Sequence, residues 1–398
     1  MDNAGASHRP FEPGISNSKE GAMDCATPSY EEALRGRSAC AEGGGILTGA
    51  AVLPKKCVRV LRLAIALPEC GGDCDMVRAA YVKWVASAGA RSLPIRYDAT
   101  PEELGPILDG VNGLLFPGGT PPPTDGARWA LDYAQGLNDG GDFFPVWGTC
   151  LGWEWMAELL AADYPVITPD FDAENFTQPL GLVPGAADSR MLSGIASGLL
   201  EKATIEPLTT NAHHKGVAPD DFAKSGLDRI FRVLAINTDR QGLRQYVSTV
   251  EGIKYPWYGL QWHPEKSQFD WGLDPDGTPH HVINHTKDAV ELSQVLAVFF
   301  VSETRRNGHS FPSITEWEPK MFHTRKVTPA GPRVGQMYYL HLSDAGRNSS
   351  ATTGNTTPLP QGQLEARRRR GRREARRKTE IGAPVSLSLH AEPLILRR

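Results

Sequence analysis

The sequence predicts an α/β protein, a three-layer sandwich in which a mostly parallel central sheet is flanked by helices. Three observations predict it. Short runs dense in Val, Leu, Ile and Phe recur from residue 58 onward and end in Pro or Gly, the pattern of strands buried on both faces. Between them lie segments with apolar residues at steps of three and four, the stripe of an amphipathic helix. The alternation of the two is what a parallel sheet with crossover helices requires.

The elements follow in order. VRVLRLAIAL, Val58 to Leu67, is the first strand, closed by Pro68 and glycines. In PECGGDCD, Cys70 and Cys74 are four apart and suited to pairing or to a metal. No second Cys/His pair stands nearby at zinc-site spacing, so a loop with two free thiols is the expectation. MVRAAYVKWVASAGA sets Val77, Tyr81, Trp84, Val85 and Ala88 on one helical stripe, closed by Gly89. RSLPIRY reads as a strand, and PEELGPILDG as a short helix opening with Pro101 and two acidic residues at its positive end. Leu114 to Phe116 is a third apolar run, ending in Pro117, Gly118 and Gly119; after a helical stretch around Arg128 to Leu137, FFPVWG is a fourth. Further on, FRVLAINTD, QYVSTVEG and WYGLQWHPE have strand composition, and either complete the sheet or add antiparallel strands. Asp288 to Arg306 is apolar on most sides and long enough for a buried closing helix.

With 398 residues, 40% of them hydrophobic, the chain can bury a large core as one domain or two; one domain with tails is the simpler division. Residues 1–57 are rich in Gly, Ser, Ala, Pro and charge without an apolar period and read as a disordered extension. Residues 58–344 form the expected catalytic domain, and 345–398 a low-complexity, basic tail. The net charge of −4 and pI near 6.3 give the chain as a whole no nucleic-acid or membrane-surface signature. No stretch is long and apolar enough to span a bilayer. The N-terminus lacks the profile of a secretory signal, and six cysteines are too few to suggest a disulfide framework. Within the tail, Gln363 to Glu380 concentrates positive charge, suited to an anionic partner such as nucleic acid or a membrane, and equally compatible with an incidental extension.

The chemistry concentrates at Gly148-Thr149-Cys150-Leu151-Gly152. An apolar strand precedes this segment and the helix LGWEWMAELLA follows it, so Cys150 stands on a strand-to-helix turn of the kind that pushes one side chain above an α/β sheet. The helix N-terminus is expected to lower the thiol pKa and to offer unpaired N–H groups to an oxyanion. In WYGLQWHPEK, His263 and Glu265 are two apart at a strand end, on one face by the period of two. Glu265 can then orient the imidazole while its other nitrogen serves Cys150, as in a Cys-His-acid triad.

PVWGTCLGWE, GLQWHPEK and NGLLFPGG together resemble the γ-glutamyl hydrolases that act on folate polyglutamates, a family of the class I glutamine amidotransferase-like superfamily. YVKWVASAGARSLPIRYD and FFVSETRRNGHSF look like further family segments, and the resemblance spans about Val58 to Arg325. It implies Cys150 as nucleophile, His263 as base and acid, Glu265 as its orienter, and an oxyanion hole from the N–H of Leu151 with that of Gly118 or Gly119. Glycine there also permits close approach of backbone to a ligand. Asn211-Ala-His-His-Lys215 is similar to the family's Asn-Phe-His-Lys, which places His214, in preference to His213, beside the substrate. Tyr81 matches a substrate-contacting family tyrosine but also lies on the helix stripe. Glu154 matches an acidic family position that contacts substrate or simply favours the helix N-terminus.

The resemblance implies a small-molecule substrate, a folate polyglutamate, cleaved through a thiol acyl-enzyme with no metal and no cofactor; H-E-x-x-H is absent. A homodimer is compatible with it. A glutaminase feeding a synthase would use the same triad but calls for a synthetase partner, and intact Cys, His and Glu speak against a non-catalytic γ-glutamyl-binding protein. Family members are vacuolar, lysosomal or extracellular, and N-x-[ST] sequons begin at Asn175, Asn284, Asn348 and Asn355. Vacuole or secretion is therefore the expectation, against the literal N-terminus.

Overall fold

A computed structural model describes residues 61–66, 74–161, 163–332 and 335–341. The expected N-terminal extension and basic tail lie outside the described residues. In chain order the strands and helices begin with β1 (Leu61–Ala66), β2 (Cys74–Arg78), α1 (Ala79–Ser87), β3 (Ala90–Ile95), α2 (Pro101–Leu108), β4 (Leu114–Phe116), α3 (Asp125–Asp139), β5 (Val146–Thr149) and α4 (Leu151–Leu160). They continue with β6 (Ile167–Thr168), β7 (Ala173–Gln178), α5 (Ser197–Ile205), β8 (Thr209–His213), β9 (Gly216–Val217), α6 (Pro219–Lys224), β10 (Phe231–Thr238), β11 (Gln245–Gly252) and β12 (Trp257–Leu260). Then come α7 (Lys266–Phe269), α8 (Lys287–Thr304), α9 (Ile314–Trp317), β13 (Thr328–Pro329) and β14 (Gln336–His341).

The main sheet has seven strands in the order β10-β11-β12-β5-β4-β1-β3. Every pairing from β12 to β3 is parallel, whereas β11 runs against both of its neighbours. The β-rich second half thus does both things its composition allowed: β12 extends the parallel sheet, and β10 and β11 add an antiparallel edge. Smaller ladders join β13, β14 and β2, β6 and β9, and β7 and β8.

Alternation along the strands divides the core between the two faces of the sheet. On β4 and β5, Leu115 and Trp147 join α1, α5 and α8 through Trp84, Leu199 and Phe300. Leu114, Phe116 and Val146 join α2, α3 and α4 through Leu104, Ala130 and Trp153 on the other face. This is the three-layer sandwich the sequence predicts. Every residue of β5 is buried, as a central parallel strand requires.

Local chemistry sets the helix ends. At α2, Thr100 and Glu103 form a capping box, with Pro101 in the first turn. Thr124 accepts from the Ala127 N–H to start α3, and Thr286 from the Ala289 N–H to start α8. The stripe of α8, Ala289, Leu292, Leu296, Phe300, is buried.

Two expectations are corrected here. Residues 74–78 do not open the first helix. They form β2, antiparallel to β14, because Val77 fills the core from an extended backbone whose alternate residues are buried. Nor is Cys74 a free thiol: it is disulfide-bonded.

Candidate active site

Cys150 lies where β5 stops and α4 begins, at φ 52° and ψ −112°. A residue with a Cβ adopts positive φ only when its surroundings hold it there. Its N–H donates to the Leu260 carbonyl on β12 at 2.7 Å, and its own carbonyl accepts from the Glu154 N–H at 3.0 Å. Both flanking glycines are required by close approach. A Cβ on Gly148 would stand 2.7 Å from the Gly152 backbone, and one on Gly152 only 2.0 Å from the Phe116 carbonyl oxygen. The G-x-C-x-G pattern therefore lets α4 start directly against β4.

The Cys150 side chain is buried, with Sγ 3.8 Å from the Ala212 carbonyl oxygen. The expectation of a lowered thiol pKa is not met. Burial, and after it the charge of Glu154, push the thiol well above its ordinary value, and the opposing hydrogen bond from the Leu151 N–H is outweighed. The resting sulfur is a protonated thiol.

His263 and Glu265 do meet, though not through strand periodicity. The strand β12 ends at Leu260, and the chain turns through His263-Pro264-Glu265 into α7, with the His263 N–H donating to the Thr210 carbonyl of β8 at 2.8 Å. In that turn His263 Nδ1 lies 2.8 Å from Glu265 Oε1, the two side chains 7% and 1% exposed. His263 Nε2 is buried and has no hydrogen-bond partner among the described residues. An ionised Glu265 accepts only, so it keeps the proton on Nδ1 and presents the Nε2 lone pair. Immediately after Glu265, buried Lys266 pairs with Asp270 at 2.8 Å and anchors α7.

Gly118 marks the point where these elements converge. A Cβ built on it would lie 2.6 Å from Tyr81 Oη, 2.9 Å from His263 Cε1 and 3.5 Å from Cys150 Cβ. Its N–H donates to Tyr81 Oη at 2.8 Å, so in this conformation Gly118 does not offer the open N–H expected of it. Gly119, one residue on, is exposed. Tyr81 has its ring buried on the core face of α1, as its place on the helix stripe predicts, and its hydroxyl reaches His263 Nδ1 at 3.2 Å.

Glu154 is buried in the first turn of α4, where its Oε1 accepts from Gln261 Nε2 at 2.9 Å. Burial raises its pKa against the hydrogen bond from Gln261 and the charge of Lys215. The His214 side chain is 69% exposed and faces Glu174. His213 is the buried one, packed edge-on to Tyr246, with Nδ1 2.7 Å from the Lys215 carbonyl oxygen and Nε2 unpartnered among the described residues. Burial, opposed by that carbonyl and helped by the charge of His263, lowers its pKa to about 3. His213 is the last residue of β8 and His214 lies just beyond it, a distinction that the string HHK does not carry.

Two participants escaped the sequence reading. Gln261, fully buried, holds Glu154, and its place two residues before His263 was the available signal. The Ala212 carbonyl, which faces Sγ, is backbone and leaves no signal. Among the described residues no cluster of His, Cys, Asp and Glu is arranged to hold a metal ion, and no helix is long and apolar enough to cross a membrane.

A family model, "Glutamine amidotransferase class-I", matches residues 73–275. Among curated proteins, γ-glutamyl hydrolase B of Dictyostelium discoideum is 38% identical over 247 residues, covering 60% of this chain and 69% of that protein. The γ-glutamyl hydrolase of Homo sapiens is 38% identical over 253 residues, 62% of this chain and 76% of that one. The γ-glutamyl hydrolase of Mus musculus is 36% identical over 265 residues, 64% and 80%.

Proposed function

The chain belongs to the γ-glutamyl hydrolases of the class-I glutamine amidotransferase family, and from that premise we infer that it hydrolyses the γ-glutamyl bonds of folate polyglutamates with Cys150 as nucleophile. The observation that carries the mechanism is the His263–Glu265 pair at 2.8 Å beside a thiol held at positive φ on a strand-to-helix turn. Because the thiol is neutral at rest, His263 Nε2 takes its proton as sulfur attacks the γ-carbonyl carbon. The carbonyl electron pair moves onto oxygen, where the N–H groups of Leu151 and Gly119 receive it. Collapse expels the amine, which leaves with the proton from His263, and water attacks the thioester by the same base. Cys150, being buried, suits a mechanism in which charge appears only during reaction.

Compartments of the secretory route, vacuole, lysosome or cell exterior, suit this reading, since Cys74 is disulfide-bonded and such bonds persist in oxidising environments. The test is an assay of Cys150→Ala on pteroylpolyglutamates of defined length. Hydrolysis should vanish while substrate binding stays measurable. Turnover undiminished in the variant, or native protein that releases ammonia from glutamine and leaves the γ-glutamyl peptide intact, overturns the reading.

A further inference from the structure

The carboxylate of Asp270 joins the two segments that meet at His263, and no step of the Cys-His-acid arrangement uses it. Lys266, the residue after Glu265, and Arg78, the residue before α1, both reach its Oδ2, at 2.8 and 3.4 Å. The side chains of Lys266 and Asp270 are 4% and 3% exposed, so the pair stands where a charge without a partner is costly. Burial works against ionisation of Asp270, but the charge and hydrogen bond of Lys266, and then the charge of Arg78, hold its carboxyl below the ordinary value. His281 adds no charge to the cluster at neutral pH, because burial and then the Lys266 ammonium lower its pKa to about 4. The cluster thus fastens the end of α7 to the start of α1. In the first turn of α1 stands Tyr81, whose Oη lies 3.2 Å from His263 Nδ1. Just before α7 stands Glu265, 2.8 Å from the same nitrogen. Both neighbours of Nδ1 therefore belong to the elements that Asp270 joins.

We propose that Asp270 is a positioning residue for the catalytic base: by accepting from both Lys266 and Arg78 it fixes the His263-Pro264-Glu265 turn against the first turn of α1, and with it the imidazole that serves Cys150. Its effect is exerted through His263. Asp270 also balances the Lys266 ammonium, whose charge reaches Cys150. The rest of the assembly is held independently. Gln268 Nε2 of α7 donates to the Val290 carbonyl of α8 at 3.1 Å, and Trp84 Nε1 of α1 to the Ser293 carbonyl of α8 at 3.0 Å. Both helices therefore stay docked on α8 when Arg78 is replaced, and what changes is the spacing of the ends that carry Glu265 and Tyr81. The reaction tolerates little of that, since a misplacement of about 1 Å can cost ~10²-fold in rate.

This rests on the reading of His263 as the base for a γ-glutamyl nucleophile, and the experiment keeps the two apart. The full-length native protein, Asp270→Asn, Arg78→Met and Arg78→Lys are compared in steady-state hydrolysis of a pteroyl-γ-diglutamate. They are also compared in the downfield proton NMR resonance of His263 Nδ1–H, which reports its hydrogen bond to Glu265 without substrate and is identified by its absence from His263→Asn. Asp270→Asn and Arg78→Met should lose about 10- to 10²-fold in kcat at nearly unchanged KM, with the resonance moved upfield or broadened by exchange with water. Arg78→Lys, which keeps a charged donor for Asp270, should recover most of both. Native kcat in Arg78→Met overturns the proposal, and so does Arg78→Lys as impaired as Arg78→Met. A fall in kcat with the Nδ1 resonance unchanged also overturns it, because a merely structural cluster would behave so. Absence of the resonance from the native protein contradicts the buried bond on which the proposal stands. Should Asp270→Asn fail to fold, since it leaves Lys266 buried without its counter-charge, the two Arg78 variants decide. Native protein that shows the resonance but does not hydrolyse the diglutamate refutes the nucleophile reading instead, and the resonance in the variants still tests Asp270.

Discussion

The Nδ1 of His263 and the Oε1 of Glu265 lie 2.8 Å apart in a turn, both side chains almost wholly buried, and this one contact assigns separate tasks to the two imidazole nitrogens. Glu265→Gln keeps the shape but removes the charge that fixes the tautomer and stabilises the imidazolium formed during attack. An expected fall in kcat of roughly 10²- to 10⁴-fold follows, with KM little changed, read by steady-state hydrolysis of a γ-glutamyl peptide. Near-native kcat would show that Glu265 is structural.

Glu154 acts on the nucleophile through its charge. After burial it is the largest cause of the raised Cys150 pKa, so neutralising it stabilises the thiolate. In Glu154→Gln the alkylation of free protein by iodoacetamide should be faster at a given pH, and its pH profile should move to lower pH. A profile that stays in place, or moves to higher pH, would contradict the assignment.

His213 ties acid stability to the site. Its pKa is about 3 in the folded chain because burial disfavours the charged ring, against about 6.5 when unfolded. As pH falls below the unfolded value, the unfolded state takes up a proton that the folded state refuses. Stability is therefore lost from about pH 6.5 down to about pH 3, with a slope approaching ~1.4 kcal/mol per pH unit, and the loss levels off once both states are protonated. His213→Asn, neutral throughout, should flatten the acid limb of urea unfolding measured against pH. An equally steep limb would locate the sensitivity elsewhere.

Much of the fold was legible because burial writes itself into composition. Val146 to Thr149 reads as a strand buried on both faces and is one, and the helix at Pro101 begins where that proline and the two acidic residues after it place its start. Cys150, His263 and Glu265 were legible as residue types in specific strings. What the strings did not carry was tertiary. Val77 fits a helix stripe and a strand face equally, and only the pairing of β2 with β14 decides between them. The helix N-terminus at Cys150 argued for a lowered pKa, but the desolvation that reverses it depends on what covers the sulfur. His213 and His214 are adjacent and chemically identical, and their difference is that the first is buried at the end of β8 and the second exposed beyond it.

The glycine after the nucleophile offers the most severe test of the turn itself. At Gly152 a Cβ would lie 2.0 Å from the Phe116 carbonyl oxygen and 2.5 Å from its carbon, both backbone atoms of β4, which is paired on either side within the main sheet. Neither can yield as a flexible side chain would, so Gly152→Ala must push the start of α4 away from the sheet. That displaces Leu151, whose N–H favours the thiolate of Cys150, and relaxes the backbone that holds Cys150 at φ 52°. Overpacking of this kind costs about 1–3 kcal/mol or more, and kcat should fall further than the loss of folded protein explains, because a shift of about 1 Å at the reacting groups can cost ~10²-fold. Gly136→Ala serves as the control, since a Cβ there meets nothing within 4 Å on an established helix. Alanine is the better helix former at such a site by roughly 1 kcal/mol. Thermal melts and kcat measured on both variants decide the matter: comparable behaviour of the two would mean that the close approach of α4 to β4 is not what holds the nucleophile.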